Sequence, residues 1–148
     1  MARLLNDRSE TNLMRLRDPV SGTSVGLLYR LPTTAERVEY LGALLRREGE
    51  DAVSAALSTR RRAGLSILRG IGEGDFDLPD EAGGRRAVSS EPSSPSFEPR
   101  WKELICERAP ELIEALAWHV FEGHYAAPGP VRLRRPGEAM FDEASKKK

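Results

Sequence analysis

Cysteine is nearly absent from this sequence of 148 residues, in which Cys106 is the only one. A single thiol cannot form an internal disulfide, and it cannot supply a zinc site built from several cysteines. This usage fits a reducing cytoplasm. Because no base is placed beside it by any motif in the sequence, we expect Cys106 to be a buried or half-buried structural thiol.

Long apolar runs are also missing. No window of the sequence approaches the roughly 20 apolar residues that a membrane-spanning helix needs. The first residues of the sequence lack the apolar run of a signal peptide. We therefore expect a soluble protein of the cytoplasm that has no membrane partner.

Neither sign of charge is in excess, since 23 Lys and Arg residues balance 23 Asp and Glu residues. Nucleic-acid binders usually carry a clear basic excess, so nucleic acid is disfavoured as the main partner. The charges are nevertheless unevenly placed: residues 60–62 are three arginines and residues 146–148 are three lysines. We expect the arginines to lie on a solvated helix face, with phosphates or an acidic partner as the alternative, and the lysines to form a solubilising end.

The histidines and aspartates do not have the spacing that a metal site requires. His119 and His124 are five residues apart, which rotates them off a common helix face and departs from the zinc-helix motifs. Asp75, Asp77 and Asp80 lack the further oxygen ligands of a calcium loop, and we expect them to form a solvated acidic turn. The sequence therefore predicts no catalytic residue, no metal and no cofactor.

Two alternating runs, residues 12–17 and 24–31, predict a β-hairpin near the N-terminus. In the turn between them, Pro19 presets φ and Gly22 accepts a positive φ. Pro32 should end the second strand because it cannot donate a hydrogen bond to a sheet.

A helix is predicted directly after this proline. Thr33 at the N-cap and Glu36 three residues later form a capping box, in which each side chain bonds a backbone N–H of the other residue. The helix should run to about Arg47, with Gly49 as its stop. The predicted apolar stripe consists of Val38, Leu41, Leu44 and Leu45, with Tyr40 at its edge.

A second helix is predicted from residue 50 or 51 to about Arg69. The glycine-rich stretch 70–74 should end this helix rather than cradle a phosphate, because it follows a helix and its neighbours are acidic. After it, Phe76 and Leu78 have the alternation of a short strand.

Turn-forming residues dominate the stretch 80–99, which predicts either a linker or an ordered excursion over the surface. A third helix should start near Arg100, and Pro110 should open a fourth because proline is tolerated in a first helical turn. The fourth helix has the broadest apolar face in the sequence, formed by Leu112, Ile113, Leu116, Ala117, Val120 and Phe121.

The predicted fold is of the α+β class and mainly α, with an N-terminal β-hairpin packed on a small helical bundle, a flexible linker and a C-terminal tail. The predicted segments are a flexible N-terminus at 1–10, the hairpin with two helices at 11–79, a Pro/Ser/Gly-rich linker at 80–99, a helical segment completing the same domain at 100–125, and a basic tail at 126–148.

Two sequence motifs resemble those of the small tail assembly chaperones of tailed phages and prophages. One runs from a proline–glycine turn through Tyr29-Arg30-Leu31-Pro32-Thr33 to a helix with Glu36-Arg37, and the other is Trp101-Lys102-Glu103-Leu104. The resemblance covers about half of the chain. It implies a non-enzymatic factor of the host-cell cytoplasm that binds the tape-measure or tail tube protein, and it brings no catalytic residues with it.

An apolar groove beside the fourth helix would suit a partner helix. We therefore expect six residues to serve in partner binding or in the core, between which the sequence does not decide: Tyr40, Leu44, Trp101, Leu116, Val120 and Phe121. Two other functions stay open, a structural component of the tail or baseplate and a small nucleic-acid-binding regulator that uses residues 60–62.

Overall fold

The computed structural model describes residues 2, 5, 10–46 and 51–123 of the chain. Within them the fold is α+β, as predicted, and the elements follow in the order β1 (Asn12–Arg17), β2 (Ser24–Tyr29), α1 (Thr34–Leu45), α2 (Ala52–Ile67), β3 (Leu68–Ile71), β4 (Phe76–Pro79), β5 (Arg85–Val88), α3 (Trp101–Arg108), α4 (Pro110–Ala117) and a π-helical turn (Trp118–Glu122).

The predicted N-terminal hairpin is present. Strands β1 and β2 pair antiparallel, with Met14 opposite Leu27, and both of these side chains are buried. In the turn, Gly22 has a φ of 74° and its N–H donates to the carbonyl oxygen of Asp18 over 2.8 Å. The conformation that only glycine adopts without strain therefore closes this hairpin.

A third strand completes this sheet, and the prediction of a helix reaching Arg69 is wrong here. Helix α2 ends at Ile67, and β3 follows at once and pairs antiparallel with β2, which gives the strand order β1-β2-β3. Ile67, Leu68 and Ile71 are all buried. Their spacing fits one face of a helix as well as a buried strand. Residues 68–71 form a strand because they pair with the free edge of β2.

Helix α1 begins as predicted, but its buried face differs. The N–H of Glu36 donates to Thr33 Oγ1 over 3.1 Å, and the N–H of Thr33 donates to Glu36 Oε1 over 2.8 Å, which confirms the capping box. In the predicted stripe, however, Val38 is 66% exposed and Leu45 is 85% exposed, whereas Tyr40 is only 3% exposed. The predicted end at Arg47 and Gly49 lies outside the described residues.

Tyr40 sets the orientation of α1. Its ring stacks on that of Phe121, with 4.5 Å between the ring centroids. Because this contact turns Tyr40 inward, Leu41 and Leu44 are left partly buried at the edge of the core. A large aromatic contact thus outweighs the leucine and valine stripe.

The C-terminal helices follow the prediction closely. Arg100 is the N-cap of α3, and Pro110 is the first residue of α4. Every residue of the predicted apolar face is buried in α4 and the following π turn: Leu112, Ile113, Leu116, Ala117, Val120 and Phe121. This face forms the centre of the core, where α4 packs on α2.

The stretch 80–99 forms an ordered excursion over the surface, which was one of the two predicted alternatives. The prediction of a flexible linker is wrong. It contributes β5, which pairs antiparallel with β4 through Phe76 and Val88. Beyond β5, a single carboxylate holds the serine-rich turn: Glu73 accepts hydrogen bonds from Ser89 Oγ at 2.6 Å and Ser94 Oγ at 3.0 Å. The turn-forming residues therefore lie in a hydrogen-bonded loop beside the second sheet, which consists of β4 and β5. The predicted tail at 126–148 lies outside the described residues.

Candidate functional site

An apolar cavity of about 250 Å³ opens between the β4–β5 hairpin and helices α3 and α4. Its wall is mainly apolar, because the second sheet, helix α3 and the first turn of α4 all contribute apolar side chains to it. The apolar lining residues are Val20, Phe76, Leu78, Val88, Trp101, Leu104, Ile105, Ala109 and Leu112.

Local sequence rules place the side chains of this wall. In β4, Phe76 and Leu78 alternate with Asp77, so the strand turns two apolar groups to the cavity. In α3, Trp101, Leu104 and Ile105 follow at i, i+3 and i+4 and therefore share one helix face. Trp101 and Leu104 are only partly buried. The cavity thus presents apolar surface that the fold does not cover.

Charged side chains form the rim of this cavity. The carboxylates of Asp18, Asp77 and Glu111 and the guanidinium of Arg108 line it. Asp77 is also paired with Arg85 over 3.3 Å. At the same mouth, Val20 projects from the β1–β2 turn and is 84% exposed. The rim is therefore mainly acidic, with one exposed apolar residue beside it.

The carboxylate of Asp18 is held in place by the turn it belongs to. Its oxygens accept hydrogen bonds from the backbone N–H groups of Ser21 at 3.0 Å and Val20 at 3.3 Å. Hydrogen bonding by Ser21, through both its side chain and its backbone, lowers the pKa of Asp18. This carboxylate accordingly stays ionised at neutral pH.

The structure decides between core and surface for most of the predicted partner-binding residues. Tyr40, Leu116, Val120 and Phe121 are at most 4% exposed and belong to the hydrophobic core. Leu44 and Trp101 are partly buried against it. Of the six, only Trp101 lines the cavity.

Two of the three clustered arginines are engaged within the fold, which corrects the prediction of a solvated face for residues 60–62. Arg60 donates to both carboxylate oxygens of Glu122, at 2.9 and 3.2 Å. Arg61 donates to Glu114 at 2.6 and 3.2 Å. Arg62 is exposed. The ion pairs connect α2 to α4 and the π turn, a role the sequence does not reveal because the acidic partners lie more than 50 residues away.

Tyr40 joins the same ionic cluster, since its hydroxyl donates to Glu122. Burial raises the pKa of Tyr40, and Glu122 adds to this effect. Burial alone would raise the pKa of Glu122 as well, but the hydrogen bonds from Arg60 and Tyr40 outweigh it, and the pKa of Glu122 is lowered. The three groups therefore stay in their usual charge states near neutral pH and act as a structural cluster.

One acidic side chain of the predicted solvated turn points inward instead. The Oδ2 atom of Asp75 accepts a hydrogen bond from the backbone N–H of Gly26 over 2.8 Å, a contact between residues 49 positions apart. Gly72 lies against the same carboxylate, where a Cβ atom would stand 1.9 Å from Oδ2. The glycine stretch thus leaves room for Asp75. Asp77 and Asp80 are exposed, as predicted.

The two histidines and the cysteine are the remaining candidate reactive groups. His119 is exposed, His124 lies outside the described residues, and Cys106 is a partly buried free thiol. Among the residues that the structure describes, no three His, Cys, Asp or Glu side chains are close enough together to hold a metal ion.

None of the helices in the described part of the chain has both the length and the apolarity needed to span a membrane. Comparisons of the chain with protein-family models, with curated proteins and with solved structures found no match.

Proposed function

We propose that this protein is a non-enzymatic assembly factor that binds a tape-measure or tail tube protein of a tailed phage or prophage in the cytoplasm of the host cell. The observation that carries the proposal is the open apolar cavity with the half-buried Trp101 in its wall. Aromatic residues in partly covered apolar pockets are typical of the centres of protein interfaces.

The choice of a tail protein as partner rests on the resemblance of two sequence motifs to tail assembly chaperones. In the first motif, Arg30 donates to both carboxylate oxygens of Glu36, at 2.9 and 2.8 Å, so the strand end and the helix start form one unit. In the second motif, Trp101 and Leu104 supply two residues of the cavity wall. The motif residues therefore have defined structural roles in the hairpin-to-helix junction and at the cavity.

The arginine cluster is less suited to nucleic acid than its sequence suggests. Arg60 and Arg61 are each paired with a carboxylate, which would compete with a phosphate for the same guanidinium groups. This favours protein over nucleic acid as the partner.

The test is co-expression of the full chain, carrying an affinity tag, with any tape-measure and tail tube proteins that neighbouring genes encode. We expect one of them to copurify with the tagged chain and the tagged chain to be absent from finished particles. Its presence in finished particles would instead identify a structural component of the tail or baseplate. Retention on DNA that falls steeply with salt would identify a nucleic-acid-binding regulator.

A further inference from the structure

The size of the cavity restricts what it can hold. Pockets for small molecules and cofactors usually have a volume of roughly 300–1,000 Å³, whereas this cavity has about 250 Å³. It offers space for one or two apolar side chains of a partner. A single buried anchor of this kind often carries much of the binding free energy of a protein interface.

The charged residues around the cavity favour one sign of charge in a bound partner. Three carboxylates, those of Asp18, Asp77 and Glu111, line the mouth, against the guanidinium of Arg108. Even when Arg85 is included as the ion-pair partner of Asp77, the carboxylates remain in excess. Such a rim attracts cationic residues on either side of an apolar anchor and repels anionic ones.

The exposed Val20 completes the site. It lines the cavity together with Asp18 and is 84% exposed, so it is free to contact a bound chain segment. Burying a valine side chain that is otherwise exposed to water favours binding. The mouth therefore combines an apolar contact with acidic neighbours.

We propose that this cavity binds an apolar side chain of a partner protein segment whose flanking residues are lysine or arginine. The inference rests on the proposed function for its choice of a protein partner, and it adds the chemistry that the partner must present. An amphipathic helix with its apolar anchors spaced by three or four residues and basic residues between them has this form.

The experiment measures binding of a fluorescein-labelled amphipathic peptide of leucine and lysine to the full-length protein by fluorescence anisotropy. A second peptide in which every lysine is replaced by glutamate measures the charge preference. Backbone amide NMR spectra locate the binding surface. We expect the lysine peptide to bind more tightly than the glutamate peptide and to shift the signals of Leu78, Trp101 and Leu104.

Two pairs of variants test the location. Val20→Lys places a cation at the mouth, and its matched control Val53→Lys alters an exposed valine of α2 outside the cavity. Glu111→Gln removes a rim carboxylate, and its matched control Glu103→Gln alters an exposed glutamate of α3. We expect Val20→Lys to lower the affinity for the lysine peptide by about tenfold. Glu111→Gln should lower this affinity less, and each control should leave it unchanged.

Three results would overturn the proposal. First, the glutamate peptide could bind as tightly as the lysine peptide. Second, Val20→Lys and Val53→Lys could weaken binding of the lysine peptide equally. Third, Val20→Lys could shift the amide signals of residues 131–135 in the absence of peptide. That result would mean that this segment of the chain itself, with the sequence Val-Arg-Leu-Arg-Arg, occupies the cavity.

The same variants separate this inference from the proposed function. If a tail protein copurifies with the chain and Val20→Lys leaves that complex intact, the cavity is not its binding site, although the proposed function holds. If no tail protein copurifies but the lysine peptide binds at the cavity, the proposed function fails and the chemistry of the cavity stands.

Discussion

Gly64 of α2 lies directly against Ile113 of α4. A Cβ atom at Gly64 would stand 2.5 Å from the carbonyl oxygen of Ile113 and 2.7 Å from its Cγ2 atom. The close approach of the two helices at the centre of the core therefore depends on a residue that has no side chain. From the sequence alone, a glycine within a helix is expected only to lower the helix propensity.

This contact predicts opposite effects for two changes of glycine to alanine. Gly64→Ala should lower the free energy of unfolding by about 1–3 kcal/mol, because overpacking against a backbone carbonyl outweighs the better helix propensity. The matched control is Gly42→Ala in α1, where the added Cβ meets only the movable end of the Arg46 side chain. That change should stabilise the protein by about 0.5–1 kcal/mol. Urea denaturation measures both, and a stabilising Gly64→Ala would contradict the structure.

The capping box of α1 predicts a dependence of stability on pH. The hydrogen-bonded ion pair with Arg30 lowers the pKa of Glu36 to about 2 from a usual value of 4.5. Because the folded-state pKa lies below the unfolded-state value, the stabilisation is complete above about pH 4.5 and is lost as the pH falls toward 2. Glu36→Gln should therefore cost about 1 kcal/mol near neutral pH.

The difference in unfolding free energy between the wild type and Glu36→Gln should shrink steadily between about pH 4.5 and pH 2. Denaturation at a series of pH values provides the measurement. Glu39→Gln, at an exposed position of the same helix, serves as the control and should show no such trend. A Glu36→Gln difference that stayed constant down to pH 2 would rule out the ion pair as its source.

The ionic cluster of Tyr40, Arg60 and Glu122 predicts unequal costs for its members. Glu122→Ala leaves both a guanidinium and a phenol without their acceptor, and should cost about 2–3 kcal/mol. Tyr40→Phe keeps the ion pair and the ring stacking and should cost about 1 kcal/mol. Arg62→Ala, the exposed neighbour of Arg60, should change stability by less than about 0.5 kcal/mol.

A double-mutant cycle between Tyr40→Phe and Glu122→Ala should give a coupling energy of about 0.5 kcal/mol or more, since the two groups share a hydrogen bond. Thermal or chemical unfolding of the four proteins supplies the data. Strict additivity would show that the hydroxyl of Tyr40 does not interact with Glu122 in solution.

The contact between Asp75 and Gly26 predicts a difference between two substitutions of the aspartate. Asp75→Ala leaves the buried N–H of Gly26 without its side-chain acceptor and should cost about 1–3 kcal/mol. Asp75→Asn retains an oxygen acceptor and should cost less. Asp77→Ala, at the exposed neighbouring aspartate, provides the control for charge removal. Equal losses for the alanine and asparagine variants, measured by urea denaturation, would speak against this hydrogen bond.

The features that could be predicted from the sequence depend on residues close together in the chain. The capping box needs only Thr33 and Glu36, and the hairpin turn needs a glycine that accepts positive φ. The buried face of α4 follows from apolar spacing that points the same way along the whole helix. These are local rules of backbone geometry and helix periodicity, which hold wherever the chain is placed.

The features that sequence patterns missed depend on partners far along the chain. Leu68 and Ile71 suit a helix and a strand equally, and pairing with β2 makes them part of a strand. Arg60 looks like a solvated cation until Glu122 is brought beside it. The cavity itself is assembled from the β1–β2 turn, the second sheet and two helices, so only its single members, such as Trp101, stand out in the sequence.

The sequence by itself determined where helices begin, where turns close and which face of α4 is apolar, because hydrogen-bonding groups and side-chain periodicity within a few residues dictate these outcomes. The tertiary structure alone decided which face of α1 is buried, which charges are paired and which apolar surface remains open. These outcomes depend on competition for burial among segments that are far apart in the chain, and the stacking of Tyr40 on Phe121 shows that the larger contact prevails.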